Sequence, residues 1–109
     1  MPRETGVPPG TLTMLVLRVL SAGPYHGYAI AQRLHALSSE ELRIEEGSLY
    51  PALQKLLLKG WVKGSWTVSD SGRKVREYRI TASGRKQLES EMAEYRRTSQ
   101  AIGEVLDGA

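Results

Sequence analysis

Residues 47–62 read GSLYPALQKLLLKGWV, and this stretch decides the fold. Its leucines recur at helical spacing from Leu49 to Leu57, which predicts a helix that ends at Gly60. The chain then passes directly into an apolar and aromatic run that begins at Trp61 and is typical of a strand. A short helix joined to a strand without a linker therefore stands at the centre of the chain.

A basic β-hairpin is predicted downstream of this helix, with strands over residues 61–67 and 75–80. The turn at residues 70–72, Asp-Ser-Gly, separates the two strands. The hairpin carries five basic side chains: Lys63, Arg73, Lys74, Arg76 and Arg79. A helix that leads into a basic hairpin is the outline of a winged helix-turn-helix, a fold used mainly to bind DNA. We expect Trp61 and Trp66 to be packing residues.

The charge of the chain is unevenly distributed. The net charge is +3, but residues 55–79 carry seven basic and two acidic side chains, whereas residues 81–109 carry four basic and five acidic ones. The positive charge thus coincides with the hairpin, as a surface that binds a polyanion requires. A lysine-rich face that is only solvated is the alternative, and the surrounding helix and hairpin favour the DNA-binding interpretation.

Length and composition limit the function further. The 109 residues suffice for one domain with a modest core, which a partner chain could complete. There is no cysteine, and two isolated histidines do not build a metal site, so we predict no metal and no cofactor. No nucleophile, base and orienting residue form a group, so an enzyme is not expected. The apolar run at residues 12–20 is too short to span a bilayer, and we expect a cytoplasmic protein that does not bind a membrane.

The helical periodicity gives the domain organisation. Residues 1–8 are predicted to be a disordered N-terminal segment, and residues 9–81 to be the winged helix-turn-helix domain. Residues 82–109 are predicted to form a C-terminal dimerisation helix and tail, with Thr81 as the N-cap. The fold class is therefore mainly α with a small β-hairpin.

Pro51 is compatible with two different starting points of the recognition helix, the helix near residues 45–59. If Ser48 is the N-cap, Pro51 lies in the first turn and no backbone hydrogen bond is lost. If the helix begins at Glu45 or Glu46, Pro51 removes one hydrogen bond and bends the helix. In both cases the outer face of the helix supplies candidates for contacts with DNA: Ser48, Tyr50, Pro51, Gln54 and Lys55. The hairpin supplies three more: Arg73, Lys74 and Arg76.

These candidates suit different parts of a duplex. Gln54 and Lys55 are candidates to read base edges, and Tyr50 to donate its hydroxyl to a phosphate. The flexible turn at Arg73 and Lys74 could reach a minor groove, where the negative potential is enhanced.

The C-terminal helix carries an apolar stripe. Its members follow one another at spacings of 4, 3, 4, 3 and 4 residues, an a/d seam: Leu88, Met92, Tyr95, Ser99, Ile102 and Leu106. The first helix of the same chain could cover the stripe. Pairing with a second chain is the interpretation we favour, because DNA-reading domains of this size usually act as symmetric dimers. The large side chains of the stripe would then be exposed in a monomer.

Three blocks of the chain resemble the signature blocks of the PadR family of bacterial transcriptional regulators. They are GPYHGYAI at residues 23–30, GSLYPAL at 47–53, and the segment from Gly72-Arg73 to YRITASG at 78–84. The resemblance extends over about residues 10–106, and it is to the short members with one C-terminal dimerisation helix. It implies a homodimeric winged-helix repressor that binds palindromic promoter DNA, in some cases released by a small aromatic or drug-like ligand.

Two further hypotheses follow from the residues. Ser99 is small and polar, and Gly103 lies close by, so the stripe could leave a space between two subunits in which Tyr95 contacts a flat aromatic or cationic effector. A winged-helix module that binds only other proteins is the alternative to DNA binding, and it would show no salt-dependent affinity for DNA.

Overall fold

The computed structural model describes residues 5–108, and within this range the chain forms four helices and five strands. In chain order they are β1 Thr5–Gly6, α1 Leu12–Leu20, β2 Tyr25–His26, α2 Gly27–Leu37, β3 Leu42–Arg43, α3 Glu46–Leu58, β4 Val62–Val68, β5 Lys74–Ile80 and α4 Ala82–Asp107. The predicted fold class, mainly α with a small hairpin and a long C-terminal helix, is confirmed. None of the helices described is long and apolar enough to cross a membrane.

The hydrophobic core lies where α1, α2 and α3 meet the base of the hairpin. Val16 and Leu17 of α1, Ile30 of α2 and Leu56 of α3 are completely buried. Burial of one such side chain contributes about 1.5–3 kcal/mol to stability. Helix α1 is buried on more than one face because it lies between the other helices, as its nearly uniform apolar sequence predicts.

The wing, the hairpin formed by β4 and β5, belongs to a three-stranded antiparallel sheet. The two strands pair from Val62 opposite Ile80 to Val68 opposite Lys74. Strand β2 adds to the free side of β5, giving the order β2-β5-β4. This third strand ends where α2 begins, so it ties the wing directly to the N-terminus of that helix.

The N-terminal segment differs from its prediction. Thr5–Gly6 pairs in parallel with Leu42–Arg43, and the Thr5 amide donates to the Glu41 carbonyl oxygen over 2.7 Å. Val7 packs against the core. A strand of only two residues leaves no periodic signal in the sequence, and for this reason the sequence alone indicates disorder over residues 1–8. Residues 1–4 lie outside the part of the chain that the structure describes.

The recognition helix, α3, begins at Glu46, so Ser48 is not its N-cap. Glu45 occupies the cap position without a side-chain hydrogen bond, and the Leu49 amide donates to its carbonyl oxygen over 3.0 Å. Pro51 therefore lies inside the helix, and the second of the two predicted alternatives holds. Because proline has no amide hydrogen, the Gly47 carbonyl oxygen lacks the usual partner four residues on.

The C-terminal helix is capped and anchored at its first turn. The Thr81 hydroxyl accepts from the Gly84 amide over 3.0 Å, which confirms the predicted N-cap, and it donates to the Gly60 carbonyl oxygen over 2.8 Å. At about 1.5 Å per residue the nine residues of α1 span about 13 Å, and the 26 residues of α4 span about 39 Å. Helix α1 is thus far too short to cover α4.

The apolar stripe is divided by this difference in length. Leu88 is only 6% exposed and belongs to the core of its own chain, and Met92 packs partly against that core. The expectation that Leu88 is exposed in a monomer is therefore wrong. Farther along the helix, Tyr95 is half exposed, Ile102 is 54% exposed and Leu106 is 75% exposed.

Candidate nucleic-acid interface

The outer face of α3 is free of contacts with the core. Leu49, Leu53 and Leu56 point into the protein and are buried. The side chains predicted to face DNA all lie on the exposed side: Ser48, Tyr50, Pro51, Gln54 and Lys55. The helix is amphipathic because buried and exposed positions alternate with a period near 3.6 residues. Its polar face is thus available to enter a groove.

One face of the wing changes character along its length. The alternation of side chains places four opposed pairs on this face: Val62 and Ile80, Gly64 and Tyr78, Trp66 and Arg76, Val68 and Lys74. At the base Val62 and Tyr78 are buried in the core, whereas farther out Trp66 is 63% exposed. The expectation that Trp66 is a packing residue is wrong, because the wing extends beyond the core at that point. Trp61, by contrast, packs against the core.

This face of the wing and the start of α3 enclose a cleft of about 390 Å³. Its lining combines aromatic rings with two cationic side chains: His26, Gly27, Tyr28, Tyr50, Trp66, Lys74, Val75, Arg76 and Tyr78. Among the predicted DNA contacts, the structure brings Tyr50, Lys74 and Arg76 together in this cleft. The other five do not line it: Ser48, Pro51, Gln54 and Lys55 on α3, and Arg73 at the turn of the wing.

Aromatic rings orient both cations of the cleft. The Lys74 Nζ atom lies 5.6 Å from the centre of the Trp66 ring, and the Arg76 Cζ atom lies 5.9 Å from the centre of the Tyr78 ring. Cations are attracted to the negative face of such rings at these distances. The two positive charges are therefore kept near the wall of the cleft while both side chains remain exposed.

The hydroxyl of Tyr78 lies in a region that favours its neutral form. Burial raises the pKa of Tyr78, the nearby Arg76 guanidinium lowers it, and Tyr50 raises it. Burial is the largest of these effects, so the net shift is upward. At neutral pH Tyr78 is thus uncharged and does not cancel the positive charge of Arg76.

The N-terminus of α2 opens toward the same cleft. His26 is its N-cap, and its Nδ1 atom accepts from the Ala29 amide over 3.4 Å, as expected for a capping histidine. The sequence did not identify His26, Tyr28 or Trp66 as members of the site. His26 and Tyr28 lie in the block GPYHGYAI, which precedes the recognition helix. Their position in this block is the signal by which the sequence could have identified them.

The opposite face of the wing has a different charge pattern. Glu77 lies 3.6 Å from the Arg79 guanidinium, and both belong to the face that carries Lys63. Glu77 therefore neutralises a cation on the far face and does not oppose Lys74 or Arg76. Positive charge is concentrated on the side of the wing that faces α3.

The arrangement suits a polyanion. Tyrosine hydroxyls, an ammonium and a guanidinium are groups that can donate to phosphate oxygens. Gln54 and Lys55 on α3 carry groups of the kind that hydrogen-bond to base edges. Within residues 5–108 no three histidine, aspartate or glutamate side chains are grouped in a way that could hold a metal ion. The donors of the cleft and the outer face of α3 lie beside each other, as contacts with one duplex require.

Comparison with known proteins identifies the family. The profile of the Transcriptional regulator PadR-like family matches residues 16–90. A transcriptional regulator from Clostridium thermocellum has a similar structure, with a TM-score of 0.80 and 26% identity over 87% of this chain and 92% of its own. A PadR family regulator from Eggerthella lenta has a TM-score of 0.79 and 30% identity over 92% of this chain and 85% of its own.

A protein of Lysinibacillus sphaericus, with no described function, is 28% identical over 91% of both chains. The family match confirms the resemblance of the three sequence blocks, and with it the prediction of a regulator and not an enzyme. The chain belongs to the PadR-like family of DNA-binding transcriptional regulators.

Proposed function

We propose that this regulator is a repressor that binds an inverted repeat near its own or neighbouring genes as a homodimer. The observation that carries the proposal is the cleft, in which Tyr50 of α3 and Lys74 and Arg76 of the wing converge beside the exposed face of the recognition helix. A protein that binds across a promoter excludes polymerase from it without any contact to polymerase, and for this reason we propose repression.

The uncovered part of the apolar stripe supports a dimer. Tyr95 is half exposed where the cover by α1 ends, and Ile102 and Leu106 are exposed beyond it. Each large apolar side chain left in water forgoes about 1.5–3 kcal/mol. A second copy related by a two-fold axis would cover the same positions on both chains. Two recognition helices would then meet half-sites about 10 base pairs apart.

Light scattering of two variants tests the dimer. Ile102→Asp places a charge in the stripe at a site outside the core, so it is expected to give a folded monomer. Gln100→Asp adds the same charge at an exposed position on another side of α4 and is expected to remain dimeric. An unchanged dimer for Ile102→Asp would show that the interface lies elsewhere.

Binding to duplexes from the region upstream of the gene tests the DNA proposal. We expect a preference for one inverted repeat over a scrambled duplex, and an affinity that falls as the salt concentration rises. Absence of both the preference and the salt dependence would rule out a repressor function. The alternative, a winged-helix module that binds only other proteins, would then take its place.

A small aromatic cation is the proposed effector. A cavity of about 250 Å³ lies between the start of α1 and the middle of α4, and Tyr95 is the member of the stripe that borders it. The residues that line the cavity are Gly10, Thr11, Met14, Glu91, Glu94, Tyr95 and Thr98. Glu91 Oε2 is buried and has no hydrogen-bond partner among residues 5–108. An aromatic ring beside two carboxylates matches a flat molecule that carries positive charge. A second subunit would enclose the cavity.

Titration of ethidium, a flat aromatic cation, into the protein tests the effector site by calorimetry. Saturable binding is expected, with weaker affinity in Tyr95→Ala and Glu91→Gln. Glu104→Gln, which makes the same charge change at an exposed position farther along α4, is expected to bind as the parent does. Equal binding by all four proteins would exclude this cavity as the site.

A further inference from the structure

Arg76 lies against a glycine of the neighbouring strand. A Cβ atom built on Gly64 would lie 2.6 Å from the Arg76 Nε atom and 3.1 Å from its Cζ atom. The guanidinium thus occupies the space in which any other residue at position 64 would carry its side chain. The ring of Tyr78 bounds the same space, with its centre 5.9 Å from Cζ.

The register explains how this space arises. Arg76 is directly opposite Trp66, whereas Gly64 is opposite Tyr78, one pair closer to the base of the wing. The Arg76 side chain therefore leans toward the base, over the missing side chain. Lys74, opposite Val68, leans in the same direction over the Trp66 ring. The two cations consequently follow each other along one wall of the cleft.

We propose that Gly64 is a positioning residue for DNA binding, which acts by leaving room for the Arg76 guanidinium between the β4 backbone and the Tyr78 ring. The proposal rests on the DNA-binding function proposed above and adds to it the residue that orients one contact. An arginine whose side chain is already ordered loses less conformational entropy when it binds DNA than one that moves freely in water.

Gly64 is not required by the backbone. Its φ lies outside the left-handed region, so alanine fits the strand conformation. The atoms that a new Cβ would meet belong to the long, exposed side chain of Arg76, which can rotate away without disturbing the core. Gly64→Ala is therefore expected to keep the fold and to displace Arg76, which separates its effect on binding from its effect on stability.

A double-mutant cycle on duplex affinity tests the inference. Gly64→Ala is expected to weaken binding about tenfold when Arg76 is present, and less than about twofold in the Arg76→Ala background. The charge is retained in Gly64→Ala, so its slope of log affinity against log salt is expected to stay closer to that of the parent than the slope of Arg76→Ala. Ser65→Ala, at the adjacent exposed position on the opposite face, is the control and is expected to match the parent.

Relaxation of the Arg76 Nε–Hε group by NMR, measured without DNA, gives a second and independent result. An ordered group in the parent and a mobile one in Gly64→Ala is expected. Equal loss of affinity by Gly64→Ala in both backgrounds, or unchanged mobility of Arg76, would overturn the inference. Failure of the parent to bind DNA would instead refute the proposed function, and the mobility measurement would still decide whether Gly64 positions Arg76.

Discussion

Two lysines on opposite faces of the wing allow a direct test of which face meets DNA. Lys74 lines the cleft and lies 5.6 Å from the Trp66 ring, whereas Lys63 is exposed on the other face, opposite Arg79. Lys74→Ala and Lys63→Ala each remove one positive charge per subunit from the same hairpin. Any difference between them therefore arises from their position and not from the net charge.

The expected size of the effect follows from counterion release. Each phosphate contact contributes about 0.9 to the slope of log affinity against log salt, so two copies of Lys74 in a dimer contribute about 1.8. Between about 50 and 200 mM salt, this share of the slope corresponds to about a tenfold loss of affinity. Over the same range of salt concentration, the affinity of Lys74→Ala should therefore fall about tenfold less than the affinity of the parent. The affinity of Lys63→Ala should fall as much as that of the parent.

Fluorescence anisotropy with a labelled inverted repeat and with an unrelated duplex provides the assay. Because a phosphate contact carries no sequence information, Lys74→Ala should weaken binding to both duplexes alike. An equal change of slope in both lysine variants would mean that only net charge matters. An unchanged slope in Lys74→Ala would mean that the cleft does not contact phosphates, and the proposed orientation of the wing would be wrong.

Three predictions concern stability. Gly84→Ala should destabilise the fold by about 1–3 kcal/mol, measured by urea unfolding, because its Cβ would fall on the Trp61 carbonyl oxygen; unchanged stability would mean that α4 can shift at no cost. Thr81→Ala should lower stability by about 0.5–2 kcal/mol through loss of the cap, visible as a lower melting temperature; an equal loss in Ser83→Ala would argue against a specific cap. Burial raises the pKa of Tyr78 above its usual value near 10, so the stability it confers is present below that pH and is lost as the pH rises through the folded pKa. As the pH rises above about 10, Tyr78→Phe should therefore lose less of its free energy of unfolding than the parent, measured by urea unfolding at each pH. The same dependence of this free energy on pH in both proteins would contradict the prediction.

The helices and the hairpin could be predicted because each carries a local signal. The leucines of α3 repeat with the helical period, and Thr81 stands immediately before the residues of α4 that it caps. These signals depend on neighbouring residues alone, and the same physical forces act on them in the folded chain. The exposed outer face of α3, with Gln54 and Lys55, follows from the same periodicity and could be predicted with it.

Strand β2 could not be predicted, because it has only two residues and its pairing depends on the position of β5. The cleft depends on this strand, since β2 places the N-terminus of α2 beside the wing. Trp66 was misassigned for a related reason: its position in the alternating pattern is equivalent to that of the buried Val62. Alternation indicates which face a side chain belongs to, but not how far along the strand the core continues.

The apolar stripe of α4 shows the same limit on a larger scale. Leu88 and Ile102 occupy equivalent positions in one heptad pattern, yet the first is buried in its own chain and the second is exposed. The pattern shows that both segments present apolar side chains on one face of the helix, and it does not specify what covers them. The nine residues of α1 reach Leu88 and, in part, Met92, but not the half of the helix beyond. Within residues 5–108 the stripe extends beyond α1, the helix that covers its first part. This is the physical reason to propose a second subunit, and to place both the proposed dimer contact and the proposed effector cavity at Tyr95, where the cover by α1 ends.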